Sequence, residues 1–180
     1  MIKWSETVSV DIPKGIKVDV AGNTITFTNK DKKIEKKFAD NYVKIDFRDG
    51  KAIISQSKNN SRERGIIGTW ASEIKNIITG ITEGFQYEMK IDYSHFPMRV
   101  SVKGKSVVIE NFFGERSARS AEIIGDTTVT IKADRVTVAG ISKKDVAETV
   151  ANIERSTKIK GFDDRVFQDG IYLISKGEGQ

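Results

Sequence analysis

The chain holds only two prolines, and each opens a stretch that resembles the other. They stand in Ile12-Pro13 and Phe96-Pro97, 84 positions apart. After Pro13, Ile16, Val18 and Val20 alternate with other residues, Gly22-Asn23-Thr24 follows, and Ile25 and Phe27 resume the alternation. After Pro97, Met98, Val100 and Val102 lead to Gly104-Lys105-Ser106 and then to Val107 and Ile109. An apolar period of two on both sides of a glycine-bearing turn predicts a β-hairpin in each case. Farther on, Val43, Ile45 and Phe47 correspond to Val129 and Ile131, and the short strand pattern Ala52–Ser55 corresponds to Arg135–Val138.

Each half then predicts one helix. The first starts near Ser61, whose hydroxyl can cap free amides, and stops near Gly80. It carries Ile66, Ile67, Trp70, Ala71, Ile74, Ile77 and Ile78 at helical spacing, with Trp70 expected as a large contributor to the core. The second opens at Ser142, with Asp145 three residues later in a capping-box position, and carries Val146, Ala147, Val150, Ala151 and Ile153. The expected fold is therefore α+β: a tandem duplication of a small antiparallel β-sheet covered by one α-helix. Residues 1–83 form the first repeat, and residues 84–180 the second, ending in a C-terminal tail. Between them, Phe85, Tyr87, Met89, Ile91 and Tyr93 alternate as a strand directly after Gly84. No Pro/Ser-rich linker intervenes, so a fixed angle between the halves is expected.

Function classes fall away quickly. Among 180 residues there is no cysteine and one histidine, His95, which removes thiolate catalysis, Cys-ligated zinc and multi-histidine metal sites. No metal or other cofactor is expected. No apolar run approaches the ~18 residues that span a bilayer. Met1–Glu6 lacks an apolar core, so no secretory signal is read there and a cytosolic protein is expected.

Isolated motifs fail on context. Gly104-Lys105-Ser106 resembles the end of a phosphate loop, but Arg99 stands where that motif needs glycine, and Val107-Val108-Ile109 reads as strand. Ser94 and His95 are neighbours on a strand pattern and point to opposite faces, so no triad forms. Asp163-Asp164 falls short of a calcium cage, and Asn59-Asn60-Ser61 matches a glycosylation pattern without a secretory signal. No catalytic residue is assigned.

The charge favours binding. Lys+Arg number 30 against 25 Asp+Glu, a net charge of +5 with pI near 9.3. Residues 1–83 hold 15 basic and 11 acidic residues, residues 84–180 hold 15 and 14. Local clusters stand out: Lys30, Lys32, Lys33, Lys36 and Lys37; Lys103 and Lys105 at the second hairpin tip; Arg116 and Arg119 after Phe112-Phe113-Gly114; Lys143 and Lys144. From Arg155 onward, cations interleave with aromatics and glycines, a pattern that suits a phosphate backbone with splayed bases. The competing reading docks Phe162, Phe167 and Ile171 on the body while the cations face water. A protein-interaction module using sheet edges and an exposed Phe112-Phe113 is a second alternative, and a small hydrolase built on His95 a third.

Arg165-Val166-Phe167-Gln168-Asp169-Gly170-Ile171-Tyr172-Leu173, followed by Lys176, resembles the C-terminal signature of the archaeal and eukaryotic form of the sixth large-subunit ribosomal protein family. Gly80–Tyr87, Tyr93-Ser94-His95-Phe96-Pro97, Ile109–Glu115 and Val10-Asp11-Ile12-Pro13 are similar to further motifs of that family. Arg155 stands where the family is expected to have Gln, and Phe162 where a basic residue is common. The resemblance implies a duplicated α+β fold and a non-enzymatic, structural role in the cytoplasmic large ribosomal subunit. It implies binding to large-subunit (23S-type) rRNA near the stalk base and the sarcin–ricin loop, beside neighbouring ribosomal proteins. Carried over by motif, the rRNA-binding residues are Arg165, Phe167, Gln168, Asp169, Gly170, Tyr172 and Lys176, with Gly170 permitting a tight turn or close approach. Lys158, Lys160, Lys103 and Lys105 are added for their charge and position.

Overall fold

The computed structural model describes residues 7–30, 32–57, 61–163 and 165–178. The readings made for Met1–Glu6, for Asn59-Asn60 and for Asp164 lie outside the described residues. The chain divides into two compact units, Met1–Thr82 and Glu83–Gln180.

The first unit runs β1 (Thr7–Asp11), β2 (Lys17–Ala21), β3 (Thr24–Asn29), β4 (Lys32–Lys37), β5 (Val43–Arg48), β6 (Lys51–Gln56) and α1 (Ser61–Thr82). Its strands form two three-stranded antiparallel sheets, β1-β6-β5 and β2-β3-β4, where a single sheet is expected from the sequence. The second unit repeats that order with β7 (Phe85–Asp92), β8 (Arg99–Lys103), β9 (Ser106–Glu110), β10 (Arg119–Glu122), β11 (Thr128–Lys132), β12 (Arg135–Gly140) and α2 (Lys143–Ser156). Its sheets are β10-β9-β8 and β11-β12-β7-β13, where β13 (Gly170–Glu178) is an addition without a counterpart in the described part of the first unit. The two hairpins match in register as well as in order. Ala21 faces Thr24 across Gly22-Asn23, and Lys103 faces Ser106 across Gly104-Lys105. Gly22 and Gly104 both have φ of 61°, the positive value that a primed two-residue turn requires at its first loop position.

Each unit buries its own core. Phe27, Ile54 and Ile74 are sealed in the first, between both sheets and α1. Met89, Ile109, Phe112, Val136, Ile153 and Ile171 are sealed in the second. Burying each such side chain stabilises by about 1.5–3 kcal/mol. Trp70 is a correction: it is half-buried at the core's margin, edge-on to Phe38 at 5.4 Å between ring centroids. So is the end of α1, which runs through a buried Gly80 to Thr82. A mid-helix glycine costs about 1 kcal/mol against alanine, which packing overrides. In α2 the cap is as read: the Ser142 hydroxyl accepts from the Asp145 amide at 3.3 Å.

Candidate nucleic-acid interface

The tail signature folds as a loop and an edge strand. β13 lies antiparallel to β7, with Ile171 opposite Ile91 and Leu173 opposite Met89, both turned to the core. Its outward amides are held by side chains of α2 and the residue that caps it. Ile171 N–H donates to Thr157 Oγ1 at 3.1 Å, and Leu173 N–H donates to Glu154 Oε1 at 2.9 Å. The tail is therefore built into the sheet.

Asp169 anchors the loop. Its carboxylate accepts from the amides of Ser94 at 3.1 Å and His95 at 3.2 Å, and lies 3.0 Å from His95 Nδ1. Burial alone would push this carboxyl up. Hydrogen bonds from the His95 ring and the two amides outweigh it and hold the carboxyl below its ordinary value. An ionised carboxylate only accepts, so His95 Nδ1–H is the donor in this contact. Asp169 is 1% exposed and so cannot itself reach an RNA, a correction to its reading as a contact residue. It fixes the Ser94-His95 turn to the tail across 75 residues of sequence.

Around that anchor the rings gather. Phe167 lies 5.0 Å from His95, 5.6 Å from Phe113 and 5.0 Å from Phe162, centroid to centroid. Phe113 sits on a turn in which Asn111, Phe113 and Gly114 all have positive φ. Phe112 is buried and carries Arg119 over its face at 4.1 Å, and Phe113 is half-buried, so the expected exposed Phe112-Phe113 pair is corrected. Phe162 and Val166, 56% and 64% exposed, are the surface members of the loop. The docking alternative is thus largely realised: Phe167 and Ile171 pack on the body, and Phe162 lays one side against Phe113 at 5.4 Å while over half of it stays exposed.

The cations are placed unequally. Lys158, Lys160 and Arg165 are exposed along the loop, as is Gln168. Arg119 ties the loop's start to the β10-β9-β8 sheet. It donates to the carbonyls of Ser156 at 2.9 Å and Lys158 at 3.3 Å and forms a two-point pair with Glu115, whose carboxyl that hydrogen bond lowers. Lys103 and Lys105 are exposed and their backbone lies at the opposite end of the same sheet, because Lys103 pairs with Ser106 while Arg119 pairs with Ile109. The Lys103 ammonium nevertheless reaches back along the sheet to Glu110 at 3.4 Å. Three residues of strand put the two ends on the order of 10 Å apart. Lys176 is exposed, and a bulge between Leu173 and Ser175 brings it opposite Tyr87, on the other face of the sheet from Tyr172, which stands opposite Lys90. Gly170 makes no positive-φ turn. A Cβ there would stand 2.9 Å from the Tyr172 ring, so the glycine leaves room for that ring. Sequence reasoning missed Thr157, Glu154 and Arg119 as holders of the tail. They are ordinary helix, cap and strand residues whose partners lie 14 to 39 positions away.

A cavity of about 730 Å³ opens between the end of α2 and β13, and a smaller one of about 370 Å³ lies beside it between Arg119, Arg155, Lys158 and Lys160. Among the described residues no cluster of His, Asp and Glu side chains could hold a metal ion.

The Ribosomal protein L6 family model matches residues 96–170, the stretch that holds the His95–Asp169 junction's far side, the aromatic turn and the loop. Large ribosomal subunit protein uL6 of Thermoplasma acidophilum is 71% identical over 99% of this chain and 100% of its own length. That of Thermoplasma volcanium is 68% identical over the same shares, and that of Picrophilus torridus 48% identical over 99% of this chain and 98% of its own length. At that identity and coverage, the chain belongs to the ribosomal protein L6 family, whose curated members here are large-subunit uL6 proteins.

Proposed function

We propose that this chain is a structural, non-enzymatic component of the cytoplasmic large ribosomal subunit that holds large-subunit (23S-type) rRNA near the stalk base and sarcin–ricin loop. The observation that carries the proposal is the anchored loop. Lys158, Lys160, Arg165 and Gln168 are exposed on a backbone that Asp169, Thr157, Glu154 and Arg119 hold in place. Binding then loses little conformational freedom, because the cations are already at fixed spacing. Phosphate contacts set the register, and RNA shape supplies most of the selectivity. Lys103 and Lys105 offer a second point of contact, Lys176 and Tyr172 flank the strand, and the exposed Phe162 and Val166 suit a neighbouring ribosomal protein.

The test is sedimentation of cell extract before and after ribonuclease, paired with a salt titration on purified rRNA. Co-migration with large subunits that digestion abolishes is expected, with log K falling by roughly 0.7–0.9 per tenfold rise in salt for each phosphate neutralised. Migration as a free monomer in both samples, or salt-independent binding, would reject the proposal.

A further inference from the structure

We infer that the cavity between the end of α2 and β13 receives one unpaired nucleotide of the bound RNA, its base against Phe167 and Tyr172 and its phosphate on Arg155 and Lys158. This rests on the RNA-binding reading above.

The size fits: about 730 Å³ lies within the range of roughly 300–1,000 Å³ typical of small-ligand pockets. The lining fits as well. Phe167, Ile159, Ile171 and Tyr172 supply apolar and aromatic surface, and Gln168 offers an amide that both donates and accepts. Arg155 and Lys158 border this cavity and the smaller cleft beside it, so a strand leaving the cavity meets Arg155, Lys158 and Lys160, while Arg119 there is already paired with Glu115. Asp92 and Glu154 also line the cavity, the first paired with Lys90 at 2.9 Å, the second accepting from Leu173 N–H. Their charge repels a phosphate and orients the nucleotide with its phosphate toward Arg155 and Lys158.

The walls are already rigid. Phe167 is held by three ring neighbours, Tyr172 lies over Gly170, and β13 is clamped by Thr157 and Glu154. An A-form duplex cannot enter a concave site, because its bases are stacked inside. A splayed base can, and stacking it on an aromatic ring needs no particular sequence.

The experiment uses the full chain and a transcript of Thermoplasma large-subunit rRNA, with dimethyl sulfate and carbodiimide as base probes and filter binding for affinity. Binding is expected to protect one unpaired base. Ala151→Phe, which places a ring in the cavity from α2 without removing charge, should expose that base again and weaken binding roughly tenfold or more. Its salt slope should fall by at most the roughly 0.7–0.9 that the one phosphate on Arg155 and Lys158 contributes. Tyr172→Ala and Gln168→Ala, at exposed positions, carry the same test if Ala151→Phe fails to fold, and free nucleoside 5′-monophosphates should shift the amide resonances of Phe167, Gln168 and Tyr172. Unaltered protection and affinity in these variants, with the salt slope intact, would overturn the pocket and leave RNA binding standing. A chain that binds no RNA at all would overturn both.

Discussion

Asp169 shows how far a residue's role can lie from its chemical type. In a run of cations and aromatics an aspartate reads as surface, or as a partner for RNA amino groups. Here it is enclosed and joins the tail to the Ser94-His95 turn through three contacts. Replacing it by Asn removes the charge from those hydrogen bonds and should cost about 1.5–3 kcal/mol, read by denaturant unfolding. The pH dependence has a definite sign. The folded carboxyl lies below its ordinary value of 3.8, so its contribution is fully present above that value. It is lost as pH falls through the lower folded value. Asp169→Asn should therefore flatten the acid limb of the stability curve between those values, and an acid limb identical to the unaltered protein's would refute the anchor. Nothing local in the sequence marks this role, because both partners stand more than 70 positions away. The sequence pattern sets Ser94 and His95 on opposite faces of a strand, whereas both stand in the turn after β7, where their amides and the His95 ring meet Asp169.

At the scale of elements, periodicity is what the sequence displays and pairing between distant strands is what it conceals. Both hairpins, both helices and the strand after Gly84 follow from apolar spacing and turn chemistry. The division of each unit into two sheets does not, because spacing says which face is apolar and not which strand lies alongside. β13 was hidden for the same reason, and also because a bulge breaks its alternation after Leu173. As an edge strand it would offer bare amides, and α2 with its capping Thr157 covers two of them. Thr157→Val keeps the shape and leaves the buried Ile171 N–H without its acceptor, a loss of about 1–3 kcal/mol. Hydrogen exchange should speed up at Ile171 and Leu173 ahead of the β7–β12 amides. Equal acceleration throughout the sheet would mean that β13 is not separately clamped.

For the whole molecule, net charge points one way and the anchored loop another. Residues 1–83 carry +4 and residues 84–180 carry +1, yet the second unit holds the fixed cationic loop. A net value averages over all faces of a unit, whereas counterion release depends only on cations that meet phosphates, within a Debye length of ~8 Å at physiological salt. Lys158, Lys160 and Arg165 together should thus account for a loss of roughly 2–3 in the slope of log K against log salt when changed to Gln. The backbone of Lys103 and Lys105 lies at the other end of the β10-β9-β8 sheet from Arg119, with the Lys103 ammonium turned back to Glu110. Their double change should remove roughly 1–2 more. The loop cations and the Lys103–Glu110 pair share no partner, so the two sets of changes should lose binding free energy additively, within ~0.5 kcal/mol. Changing Lys30, Lys32 and Lys37 to Gln serves as the contrast and should leave the slope where it was. If the first-unit changes lower the slope and the loop changes do not, the polyanion lies on the other unit and net charge was the better guide. If loop and tip changes combine with less than their summed effect, the two ends share one phosphate cluster instead of gripping the RNA at two fixed points.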